Sequence, residues 1–78
     1  MNIIYTRHAE QRMHQRKVRH EEVSETLENP DEILAGNNGG STAIKRFGSR
    51  EVRVVYTEPE EDTFLIYTVM KPRVHQDK

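Results

Sequence analysis

The sequence predicts an α+β fold: two N-terminal helices packed on a three- to four-stranded antiparallel β-sheet meander. Three observations carry this. Apolar residues recur at helical spacing early in the chain, as Ala9 with Met13 and then Val23 with Leu27. From residue 42 onward, runs rich in β-branched and aromatic residues (42–47, 51–57 and 63–70) are separated only by short polar turns. The chain has 78 residues, enough for one domain with one modest core.

Taken in order, residues 2–5 read as a short β-like lead-in. Thr6 can accept a hydrogen bond from a free N–H of the first turn, so it starts helix one as its N-cap. Nothing interrupts this helix before Arg16 and Lys17, whose charges suit a C-terminus. Ala9 and Met13 give it a narrow apolar stripe. Beside that stripe His8, Arg12 and Arg16 line up at i, i+4 and i+8. An imidazole and two guanidinium groups on the best-ordered edge suit a phosphate better than a core.

Residues 18–20 link to a second helix over about 20–28. Glu21 and Glu22 favour its first turn, Val23 and Leu27 face inward, and Asn29-Pro30 stops it. Arg19 or His20 is a poor cap. Residues 31–35 make a short edge strand, and the Gly/Asn-rich stretch 36–41 is a loop. The three strand runs follow, with turns at 48–50 and 58–62. Lys71-Pro72 closes the domain, taken as 1–72, and 73–78 is a polar tail.

A register follows from the turn lengths. A five-residue turn sets Thr57 opposite Thr63 and pairs Tyr56 with Phe64, Val54 with Ile66 and Val52 with Thr68, on the face that lies under the helices. A three-residue turn at 48–50 pairs Ile44 with Val54 and Lys45 with Arg53. The outer face then shows Lys45, Arg53 and Tyr67 abreast, with Val55 and Leu65 beside them. Two cations directly opposite repel. Either an anion sits between them or both point into water.

Composition narrows the function. There is no cysteine, so neither disulfides nor zinc-thiolate sites are available. No apolar run approaches the ~20 residues of a membrane span, no signal peptide is evident, and a cytoplasmic location is expected. Hydrophobic content is 33% with no tryptophan, so self-association or a covering partner would help stability. The net charge of −1 conceals segregation. Residues 1–20 hold five Lys/Arg and three His against one Glu, and residues 21–35 hold six acids and no base. Residues 36–57 return to four bases against one acid, and 58–62 hold four acids. Such blocks fit either solvated faces or a local basic pocket.

Neither a metal nor a cofactor is expected. His8, His14 and His20 are six apart, about 240° round a helix, so no two share a face. The serines lack nucleophile-elbow glycines, and Gly39-Gly40-Ser41 lacks the spacing and lysine of a phosphate loop. What remains is one candidate base, several cations and exposed tyrosines. A neutral imidazole at His8 is a usable general base. Metal-free RNA cleavage uses such a kit: a base for the 2′-OH proton, cations for the phosphate charge, and an acid for the leaving oxygen. Tyr67 or Tyr5 would stack on an unpaired base. The plainer alternative is an ordinary first-turn histidine on a binding domain.

Several motifs occur in a fixed order: Thr6-x-His8-Ala9-x-x-Arg12-Met13-x-x-Arg16, Glu21-Glu22-Val23, Glu28-Asn29-Pro30, Lys45-Arg46-Phe47, Arg53-Val54-Val55-Tyr56 and Thr68-Val69. Together they resemble a bacterial family, domain of unknown function 4258, over residues 3–71. More remotely the chain is similar to the BrnT and RelE toxins of toxin–antitoxin pairs, which are small α+β ribonucleases working without metal. The resemblance places characteristic positions on His8, Arg12, Lys45, Arg53 and Thr68, the last on the family's authority alone. It implies a small mRNA-interferase-type toxin or a degenerate relative. His8 would be base or acid, Arg12 with Arg16 would bind phosphate, and Lys45 and Arg53 would stabilise the transition state. Arg46, Tyr67 and Thr68 would join Arg16 in binding RNA. The implied partners are RNA, free or on the ribosome, a cognate antitoxin, and a second copy in a homodimer, with no membrane. The alternative is a non-catalytic RNA- or protein-binding module.

Overall fold

The computed structural model describes residues 1–36 and 39–71. Strand β1 (Asn2–Tyr5) leads into helix α1 (Arg7–Arg16), helix α2 (His20–Glu28), and strands β2 (Glu32–Ala35), β3 (Ser41–Phe47), β4 (Arg50–Glu60) and β5 (Thr63–Met70). The five strands form one sheet in the order β1-β5-β4-β3-β2.

This corrects the expected architecture of two N-terminal helices on a three- to four-stranded antiparallel meander. The sheet has five strands and is mixed, because β1 pairs in parallel with β5, Ile3 beside Phe64 and Tyr5 beside Ile66. A strand therefore opens the fold, and both helices lie between β1 and β2. Hairpin logic cannot find such a pair, since parallel strands are joined by long crossovers rather than turns. The tail expected at 73–78 lies outside the described residues.

Both helix ends obey local chemistry. The Thr6 hydroxyl accepts the Ala9 N–H at 3.0 Å, as expected of the N-cap. Helix α1 closes on Lys17 in the left-handed conformation (φ 56°), with the Val18 N–H reaching back to Met13 O at 2.9 Å. Helix α2 has no side-chain cap from Arg19. Instead the Glu22 carboxylate accepts the Arg19 N–H at 2.9 Å. Ala9 and Met13 of α1, with Val23 and Leu27 of α2, meet Val52, Val54, Tyr56, Ile66 and Val69 in one buried cluster.

The register differs from the expected one at both turns. Phe47 pairs with Arg50, leaving a two-residue loop of Gly48 and Ser49 with Gly48 at φ 66°. That is one residue shorter than expected, so Lys45 faces Val52 and Arg53 faces Ile44. Residues opposite one another share a face, and a slip of one flips the faces. Lys45 thus joins Val52 on the helix side, while Arg53 points to the uncovered side.

Between β4 and β5 the strands continue to Glu60 opposite Thr63, with irregularities at Glu58-Pro59 and at Tyr67. Proline is tolerated at such a break. Tyr67 is the bulged residue: Thr68 pairs with Val55 and Ile66 with Tyr56, leaving Tyr67 unpaired. Val69, rather than Thr68, therefore enters the core. Ile44 is 1% exposed yet stands outside that core cluster, on the uncovered face opposite Glu32 and Arg53.

Candidate nucleic-acid interface

Helix α1 starts where β1 stops. The Thr6 N–H donates to Ile66 O at 3.2 Å, and the Thr6 hydroxyl donates to Ile66 O and Tyr67 O at 3.0 and 3.3 Å. Beyond that point β5 has no β1 residue beside it, and α1 packs against β5. The helix thereby carries its cations along the sheet's edge.

His8 and Arg12 meet there. Arg12 Nε donates to His8 Nε2 at 3.3 Å, and Arg12 Nη1 donates to Gln15 Oε1 at 2.8 Å. One turn further on, Arg16 lines a cleft with Arg53, Met70 and Lys71. A second and larger cleft adjoins it through Lys71, and its polar lining is His14, Lys17, Arg19, Arg50 and Lys71. No carboxylate residue lines either cleft. Glu51 accepts from Arg53 Nε at 2.6 Å, and Glu22, which is buried, pairs with Arg50. Among the described residues Arg12, Arg16, Lys17, Arg19 and Lys71 have no ion-pair partner.

The acidic block of residues 58–62 lies far off. Glu58, Glu60, Glu61 and Asp62 are exposed at the β4–β5 turn. Strand β4 spans 11 residues from Arg50 to Glu60, roughly 33 Å at 3.3 Å per residue. Among the described residues, cations thus gather where α1 ends and acids at the far hairpin. Such a field draws a polyanion to one end.

The expected site residues divide. His8, Arg12, Arg16 and Arg53 follow one another round the sheet edge. Lys45 does not join them: its Nζ donates to Asn29 O at 2.9 Å and lies 3.8 Å from Glu25, on the helix face. The expected Lys45–Arg53 pair is absent because the shorter Gly48-Ser49 loop puts the two on opposite faces. Arg46 is held among acids, 3.9 Å from Glu32 and 3.7 Å from Glu51, with its N–H on Asp31 Oδ2 at 2.7 Å. Thr68 and Tyr67 are on the uncovered face, where Tyr67 is 43% exposed.

Tyr5 is not a stacking platform, since its ring packs on the core and meets His20 edge-on at 4.7 Å. Burial pushes the phenols of Tyr5 and Tyr56 above their ordinary value, assisted by Glu10 and Glu58 respectively. Both stay neutral at neutral pH.

Sequence reasoning missed Lys17, Arg19, Arg50 and Lys71 as members of the site. For Lys17 and Arg19 the signal was the basic count of residues 1–20. Nothing local joins that segment to Arg50 and Lys71, which arrive through the sheet.

A family model described as Domain of unknown function (DUF4258) matches residues 5–71, and the chain belongs to that family. No curated protein and no solved structure matches it.

Proposed function

We propose that this member of the family acts on single-stranded RNA as a small metal-independent endoribonuclease of the toxin type, remotely akin to BrnT and RelE. The observation that supports this is the cleft shared by Arg16, Arg53 and Lys71, reached by the row His8–Arg12. Arg16 and Lys71 have no carboxylate partner among the described residues, Arg53 keeps further donors beside its bond to Glu51, and such groups together at one cleft follow a phosphate backbone rather than a single charge.

In the proposed reaction His8 takes the 2′-OH proton, the 2′-oxygen forms a bond to phosphorus, and the bond from phosphorus to the 5′-oxygen breaks. Arg12, Arg16 and Arg53 stabilise the charge that builds on the phosphoryl oxygens. A protonated acid or water gives its proton to the leaving 5′-oxygen. The partner proposed for such an enzyme is a cognate antitoxin, which would mask the same cations.

A second reading, a binding module without chemistry, draws on one contact. Arg12 Nε already occupies His8 Nε2, and among the described residues no other ring or carboxylate bonds to His8. The two readings part in one experiment. A labelled single-stranded RNA is titrated at stepped salt, then incubated with excess protein and EDTA. Both predict that log affinity falls with log salt with a slope of roughly −2 to −3 for three or four phosphates held. Only the first predicts cleavage. Binding that ignores salt removes both.

A further inference from the structure

We infer that the uncovered sheet face carries a subsite for one unstacked nucleobase, built from Tyr67, Thr57, Thr42 and Val55. This deepens the RNA reading and rests on it. These four residues line a cleft of about 370 Å³, bordered by Gly36 and Gly40. That is near the lower end of small-ligand clefts, a size for one base rather than for a folded partner.

The lining has the chemistry of base recognition. Val55 is the apolar floor between two threonines, and the Tyr67 ring forms a wall, its hydroxyl 3.5 Å from Thr57 Oγ1. An exposed ring over an apolar floor receives the face of any base, and threonine hydroxyls both donate and accept, so they suit more than one base edge. Tyr67 follows the buried Ile66 and so stands on the open face, and the bulge leaves it without a β4 residue directly opposite. Gly36 is required at the border, because a Cβ there would lie 2.7 Å from Gly40 O, the acceptor of the Gly36 N–H.

The position matches the cations. Arg53 and Thr57 lie on one face of β4, four residues and thus about 13 Å apart. Phosphates held at Arg16, Arg53 and Lys71 would present a base from a neighbouring nucleotide to Tyr67. An acidic surface would also meet those cations, but it would leave the aromatic cleft unused.

The test compares two probes on the intact protein at fixed low salt: a short single-stranded RNA and an abasic oligonucleotide of the same length. The parent should prefer the RNA. Tyr67→Ala should lower RNA affinity roughly 5- to 100-fold, the loss of one stacked base, with the abasic probe and the salt slope unchanged. Tyr67→Phe should keep the preference. Arg53→Ala should weaken both probes and flatten the slope. Equal, salt-dependent binding of both probes by the parent would overturn the subsite and leave the phosphate site standing. No binding of either probe would remove both. A parent dimer that Tyr67→Ala dissociates would assign the face to a second copy and overturn the subsite.

Discussion

Helices α1 and α2 are nearly equal in length, ten and nine residues, and both pack on the sheet, yet they treat their charges in opposite ways. Helix α2 buries Glu22, Val23, Thr26 and Leu27. Two of its four carboxylates are engaged, Glu22 with Arg50 and Glu25 with Lys45, and Thr26 returns its hydroxyl to Glu22 O at 2.7 Å. Helix α1 buries only Ala9 and Met13. Its arginines meet no acid among the described residues. One helix uses charge to hold itself to the sheet, and the other leaves charge unanswered. Lys45, which looked catalytic beside Arg53, belongs to the first group.

The largest expected effect falls on α1. His8→Ala should cut metal-independent RNA cleavage by roughly 10²–10⁴-fold, the usual worth of a general base, while changing stability by less than about 0.5 kcal/mol. Single-turnover cleavage and a thermal melt check both halves, and a drop in stability that accounts for the lost activity would erase the contrast between the helices.

Next comes the core side of α2. Leu27→Ala should destabilise the domain by roughly 2–4 kcal/mol in chemical denaturation, by lost burial and a cavity. RNA affinity should be retained wherever the protein remains folded. An equal loss of binding would mean that α2 touches the ligand.

Arg16→Ala against Lys45→Ala sharpens the comparison charge for charge. Removing Arg16 should flatten the salt slope of RNA binding by nearly one ion, whereas removing Lys45 should leave the slope alone and change stability by about 1 kcal/mol or less. Equal slopes in the two variants would return Lys45 to the site.

The smallest effect is at Lys17. A left-handed helix terminus favours glycine, so Lys17→Gly should stabilise the fold by about 0.5–1 kcal/mol while weakening RNA binding. A variant improved in both would show that the lysine has no task in the cleft.

How much of this was readable in advance follows from how local each cause is. The span of α1, its Thr6 cap and the stripe of Ala9 and Met13 depend on neighbours a few residues away, as do the limits of α2 and β5. The register was not readable, because a turn of Gly48 and Ser49 differs from one of three residues only in whether Arg50 joins the strand. That one residue sends Lys45 to the opposite face. The bulge at Tyr67 has no sequence signature, and the partner of β1 lies some sixty residues away. Of the candidate site, the α1 row was legible as a helical spacing. The company it keeps with Arg50, Arg53 and Lys71 was not, since that depends on strand order.

The Thr6 hydroxyl ties these parts mechanically. It accepts from the Ala9 N–H within the first turn of α1 and donates to the carbonyls at the Tyr67 bulge. Unwinding of that turn and release of the bulge should therefore go together. Amide exchange at Ala9 should slow when a ligand fixes the Tyr67 ring, and a ligand held by the helix should in turn quiet the ring, because such coupling runs equally in both directions. If RNA occupies this surface, a threonine that looks like a local cap would be the joint between its two halves.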